Sequence, residues 1–190
     1  MSMKKNITLC LLALIIFVTG SPSFAQQKNQ TFLSLNVGAG FPTGNFKQNS
    51  KTGFGGLADA RYFVAKRLAL GGTIGYFSFK GIPQTGDPTD LDFRYNFIPI
   101  MGNVSYYLGD GRFIAGFGTG IGFCRFDTKI LNYESISTAG FKSCVMPHVH
   151  GLILINQKFS ISLMTSYIAV FGAQVDVGFF TAMGGVTFKL

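Results

Sequence analysis

Residues 116–123 read GFGTGIGF. Glycine takes every second position, and Phe117, Thr119, Ile121 and Phe123 take the others. Period-two alternation is the mark of a β-strand, whose successive side chains point to opposite faces. A strand bare on one side and oily on the other constrains the fold more than any other feature of this chain. Its bare side must lie where room is short. Its oily side needs an apolar medium along its whole length.

The same pattern recurs. Candidate strands cover 31–43, 53–64, 68–80, 94–108, 112–127, 143–155, 158–172 and 177–190. The first sets Leu33, Leu35, Val37, Ala39 and Phe41 against Ser34, Asn36, Gly38 and Gly40. The second sets Phe54, Gly56, Ala58, Ala60 and Tyr62 against Gly55, Leu57, Asp59 and Arg61. The seventh sets Phe159, Ile161, Leu163 and Tyr167 against Ser160, Ser162 and Ser166. A soluble sandwich or binding barrel with its oily face inward would need charged residues on the second face. Glycine, serine and threonine stand there instead. Charged residues make up 13% of the chain, against about 25% in a typical soluble domain. The apolar fraction of 47% excludes disorder.

A membrane explains both faces. Beyond the N-terminus no stretch approaches the ~20 apolar residues of a transmembrane helix, whereas a spanning strand needs only about 9–11. Strands can cross lipid only as a closed barrel, because an open edge leaves backbone groups unbonded. The breaks between strands alternate between tight turns (64–67, 109–112, 156–158) and longer loops (44–52, 81–93, 128–142), with a short fourth loop at 173–176. That is the asymmetry of an outer-membrane barrel with both chain ends in the periplasm. The fold expected is all-β: an eight-stranded antiparallel up-and-down transmembrane barrel over 26–190. Bulky Pro99, Met101, Tyr107, Met146, Leu152 and Leu154 fall on inner faces, so the lumen should be filled. Pro99 and Pro147 each remove a ladder donor and are expected near the outer rim, where frayed pairing is tolerable. Tyr62, Tyr76, Tyr95, Tyr106, Tyr107 and Tyr167 lie toward strand ends, as interface aromatics do.

Residues 1–25 read as a cleaved signal peptide. Lys4 and Lys5 precede the apolar run 7–20, and Ser23 and Ala25 supply the small residues a signal peptidase needs. Cys10 lies inside the apolar run and is no lipoprotein cysteine. Loss of Lys4 and Lys5 lowers the formal charge from +8 to +6. The remaining basic residues are scattered, which speaks against nucleic acid and is compatible with anionic lipid.

The stretches SLNVGAGFPTGNF (34–46), FIPIMGNVSYYLGDGRFIAGFGTGIGF (97–123) and MGGVTFKL (183–190) resemble the small outer-membrane β-barrel proteins of Bacteroidetes, the OmpA-like or porin-family barrels. The resemblance implies insertion by the barrel assembly machinery, which typically reads a terminal aromatic residue. This chain ends in Leu190, with Phe188 two positions earlier on the same face.

Few residues invite chemistry. Asp59 and Arg61 share the inner face of the second strand and, with Lys189, form a candidate lumen charge network; a buried charge there needs a partner. His148 and His150 share one face of the sixth strand as a candidate polar pair, or half of a metal site. Cys124 and Cys144 flank the third long loop, either as a disulfide or as two buried thiols out of register. Ser143, Ser160 and Ser162 lie near His148 in sequence, but no catalytic motif surrounds them. No catalytic residue, metal site or cofactor is assigned. The function expected is structural or surface-interacting, with outer-membrane lipid and a loop-borne surface ligand as partners. A narrow channel for ions or small apolar solutes is the alternative. A lipid-modifying enzyme stands behind both.

Overall fold

A computed structural model describes residues 29–82, 93–109, 111–130, 137–172 and 177–190. The expected signal peptide and the loops over 83–92 and 173–176 lie outside them. The strands are β1 (Thr31–Thr43), β2 (Gly53–Phe63), β3 (Leu68–Lys80), β4 (Phe93–Leu108), β5 (Phe113–Ile130), β6 (Ser137–Leu154), β7 (Phe159–Phe171) and β8 (Val177–Lys189). Each pairs antiparallel with its sequence neighbour, and β1 pairs with β8, so the sheet closes on itself. Closure removes every edge strand, and with it every unpaired row of backbone donors and acceptors.

The alternation read from sequence sorts inside from outside. Ser34, Asn36, Leu57, Asp59, Arg61 and Thr73 are buried, while their alternates face out. Phe54 is 72% exposed, Ile121 69%, Val37 62% and Phe123 60%. These belong to a girdle of large exposed apolar residues that includes members of every strand. In water a patch of that extent would drive aggregation; in a bilayer it is the contact surface.

The structure differs from the sequence reading in four places. Of the third long loop, expected over 128–142, residues 131–136 lie outside the described residues and the flanks are ladder: β5 and β6 stay in register out to Lys129 opposite Ser137. Residues 44–52 include a six-residue helix, α1 (Gly44–Asn49). Gly44 opens it at φ +55°, a conformation glycine adopts without a side-chain penalty. Near its end the Ser50 hydroxyl donates to the Phe46 carbonyl at 2.7 Å.

The third difference concerns the prolines, which sit in mid-wall rather than at the rim. Pro99 is in register with Cys124, and Pro147 with Thr119. Each strand residue directs its N–H toward only one neighbouring strand, so a proline interrupts the ladder on one side. The β3–β4 ladder skips between Ile74–Ile100 and Phe77–Phe97. The β6–β7 ladder skips between Val145–Ala169 and His148–Ser166. Fourth, Tyr107 is no interface aromatic: it is fully buried in the lumen. Tyr95 likewise packs against interior rings, whereas Tyr62, Tyr76 and Tyr106 do face outward.

Candidate functional site

The lumen is the candidate site, and it is built in three layers. At the turn end, Phe32, Phe63, Ala69, Tyr107, Ile114 and Leu152 form one apolar cluster. Phe63 meets Phe32 edge-on and Tyr107 at a tilt, with ring centroids 4.9 Å apart in each case. At the loop end a larger cluster gathers around Phe77, Phe79, Phe97 and Phe179. Phe46 of α1 enters it from above, with ring centroids 5.3, 5.6 and 5.4 Å from Phe79, Tyr95 and Phe97. Edge-on contacts of this kind add about 0.5–1.5 kcal/mol each beyond simple burial. The first loop is therefore a lid whose plug is one phenylalanine.

Between the two clusters lies a polar belt. Asp59 and Arg61 project from neighbouring inward positions of β2 and pair at 3.2 Å, both nearly fully buried. The Asp59 carboxylate also accepts from Thr73 Oγ1 at 2.6 Å and Asn36 Nδ2 at 3.3 Å. Asn103 Nδ2 donates to Thr73 Oγ1 at 2.7 Å, and Ser162 Oγ donates to Asn36 Oδ1 at 2.5 Å. Arg61 Nη1 donates to the Tyr107 hydroxyl at 3.0 Å, which ties the belt to the lower cluster. The network thus reaches β1, β2, β3, β4 and β7. Lys189 is half-buried, and none of these bonds includes it. Desolvation of two charges is offset here because both carboxylate oxygens accept bonds and the two terminal guanidinium nitrogens each find a partner.

His148 and His150 both point inward, with rings 5.5 Å apart. They lean over the bare face of β5, against Gly116 and Gly118. Gly118 is in register with Ser105 on one side and His148 on the other. Ser105 Oγ and His148 Nε2 meet above it at 3.0 Å. A Cβ on Gly118 would fall 2.8 Å from both atoms. Gly116 has Tyr107 and His150 as its two neighbours, and those rings meet at 4.8 Å. The glycines form a groove that lets side chains of β4 and β6 touch across β5. Sequence reading missed Ser105 as the partner of His148. Ser143 faces out, and Ser162 bonds Asn36. The serine alternating inward on β4 was the available signal.

Cys124 and Cys144 are buried free thiols in the upper cluster. Cys124 is in register with Lys142, and Cys144 with Gly122. That two-residue offset is a diagonal relation of about 7–8 Å between backbones, longer than the ~7 Å limit for a disulfide. Among the described residues no cluster of three or more His, Cys, Asp or Glu side chains could hold a metal ion.

A closed eight-stranded barrel with an oily exterior and a filled lumen defines the class: an outer-membrane β-barrel of the smallest size. Solved structures with this architecture agree. Neisserial surface protein A is similar over 84% of this chain and 97% of its own, with a TM-score of 0.64 at 12% identity. Ail, the attachment invasion locus protein of Yersinia pestis, is similar over 86% of this chain and 100% of its own (TM-score 0.60, 12% identity). OprG, an outer membrane protein of Pseudomonas aeruginosa, is similar over 87% and 98% (TM-score 0.60, 12% identity). At such identities the likeness is one of fold. No family model matches the sequence, and no curated protein is similar to it in sequence.

Proposed function

We propose that this chain is exported behind a cleaved leader (1–25) and inserted by the barrel assembly machinery. In this reading it stands in the outer membrane as a closed structural barrel with its loop end at the cell surface. It is a small porin-type barrel of the Bacteroidetes kind, as the three stretches quoted above suggest. Its loops, rather than its lumen, meet partners. One observation carries this reading: the lumen is blocked twice, by the cluster around Tyr107 and by the cluster that Phe46 caps, with a bonded ion pair between them. Reconstitution in planar bilayers tests it. The purified barrel should add no stable unit conductance, and reproducible steps of one size would overturn the proposal.

The polar belt favours a second reading, a narrow channel. Arg61 Nε, Asn103 Oδ1 and both ring nitrogens of His150 are buried without a bonding partner, as groups beside an intermittent water path would be. The same bilayer recording separates the two readings. Catalysis has less support. Ser105 and His148 touch, but His148 Nδ1 faces the Met146 carbonyl at 3.3 Å rather than a carboxylate.

A further inference from the structure

The barrel sorts its sulfur. Residues 29–190 hold four methionines and two cysteines, and all six lie in the upper cluster: Met101, Cys124, Cys144, Met146, Met164 and Met183. The lower cluster has none, and neither do the large apolar residues of the girdle. Methionine is an adaptable filler of irregular gaps, and packing alone would spread it through both clusters and over the girdle. Four of the six gather at β5. Cys124 is on that strand, and Cys144 and Met146 are successive inward residues of β6. Met101 comes from β4, and its Sδ lies over the bare Gly120, 3.6 Å from where a Cβ would stand. Met146 is the β6 residue in register with that same glycine. Gly122 is in register with Met101 on one side and Cys144 on the other. The two glycines leave β5 open between a thioether of β4 and a thiol and thioether of β6, with the Cys124 thiol at the head of the gap. Cys124 Sγ donates to the Arg125 carbonyl at 3.7 Å, a weak bond that ligation can replace.

The spacing and the donor set say what fits. The diagonal placing of Cys124 and Cys144 is too wide for a disulfide, whose sulfurs sit about 2.05 Å apart. A metal with bonds of about 2.3 Å to each of two sulfurs holds them about 4 Å apart, so it spans a gap that a disulfide cannot. Zinc and harder ions need nitrogen, oxygen or further thiolate ligands. Among the described residues no three His, Cys, Asp or Glu side chains gather to supply them. Two thiols with two thioethers suit Cu(I). We infer that Cys124, Cys144, Met101 and Met146 bind one Cu(I) ion in the upper lumen. One thiol releases its proton to solvent as the ion binds, so the loaded site carries no net charge, as a low-dielectric interior requires. The surrounding Phe46, Phe97 and Phe179 keep water from the ion. Its way in lies past Phe46, the ring that α1 carries. The ion is resident in a closed lumen, so the site stands apart from the channel question.

The test uses the full mature barrel folded in detergent, reduced and kept free of oxygen, with Cu(I) supplied as its bicinchoninate complex. The barrel should take up one ion, read as loss of the complex's colour; no uptake overturns the site. Copper X-ray absorption should show sulfur neighbours at about 2.3 Å. Nitrogen neighbours, which would move the ion to His148 and His150, overturn it, as does displacement by Zn(II). Met101→Leu with Met146→Leu keeps the core volume and both thiols, and should weaken binding at least about 10-fold. Cys144→Ser should weaken it by about 100-fold or more, the upper end of what loss of a mere supporting partner costs a metal site. Mobility on unheated gels shows that each variant is folded, and if Cys144→Ser does not fold the leucine pair decides. Wild-type affinity in the folded leucine pair, or equal affinity in the urea-unfolded chain, overturns the site and reduces the copper to adventitious thiol binding.

Discussion

Replacing Asp59 by alanine strands a buried cation. Arg61 is only 3% exposed and has two partners, Asp59 at 3.2 Å and the Tyr107 hydroxyl at 3.0 Å. After the substitution only the neutral hydroxyl remains. Thr73 Oγ1 and Asn36 Nδ2 lose their acceptor at the same time. Breaking a buried pair from one side costs about 3–5 kcal/mol, and the two orphaned donors keep the value at the upper end of that range. With a urea slope of about 2 kcal/mol per molar, the unfolding midpoint should fall by about 2 M. Folded and unfolded fractions in lipid vesicles can be read from mobility on unheated gels. The second half of the cycle carries the reasoning. Asp59→Leu combined with Arg61→Met removes both charges, so the double variant should be more stable than Asp59→Ala alone. A loss below about 1 kcal/mol for the single change, or losses that simply add, would falsify the account of the belt as an interdependent lock.

Other expectations follow from the same geometry. Gly122→Ala would drive a methyl group into the Ile100 carbonyl, which is backbone and cannot yield, and should cost about 1–3 kcal/mol. Gly120→Ala meets nothing closer than 3.5 Å and should change the midpoint far less; equal losses would discredit the groove. Phe46→Ala removes the lid's plug, worth about 3 kcal/mol of docking, so proteolysis within 44–52 should speed up about a hundredfold while bilayer recordings stay silent. Thiol titration of the unfolded, unreduced mature chain should count two free cysteines; a count of zero would mean the β5–β6 register differs from that described.

The strands were legible because lipid outside and a narrow lumen inside impose one rule on every residue. That rule lapses above the bilayer. Residues 128–130 and 137–142 continue the β5–β6 ladder, but their sequence lacks a sustained oily-out alternation, and they read as loop. Helix α1 escaped for a different reason. It is one and a half turns long, and Thr43 before it makes no side-chain cap bond, so neither periodicity nor a cap announces it. A lone phenylalanine in a polar loop was its only trace. The prolines misled because a missing donor was taken to weaken a whole position, when it weakens one of two ladders.

Which side chains meet in the lumen was the least legible part, and the reason is geometric. Alternation tells which residues point inward, but contact across a closed barrel depends on register. Register is set by turn lengths and by which bulky residues find a gap. Asp59 and Arg61 are neighbours on one strand and could be paired by inspection. Ser105 and His148 are 43 positions apart and meet only because Gly118 stands between them. The glycines of 116–122 therefore do more than save room. Gly116 and Gly118 each remove a side chain from β5, so that β4 and β6 become contact neighbours across it. A lumen built this way is held by cross-strand contacts, apolar at both ends and hydrogen-bonded in the belt, and a variable role for such a protein falls to the loops and the outer wall. The wall can be judged separately from the lumen, since Arg94 and Lys129 share no bond with the belt. Neutralising both should leave the unfolding free energy within about 0.5 kcal/mol of the wild type, and a larger loss would mean that this exposed end of the wall, where Arg94 stands opposite Lys129, bears on the fold.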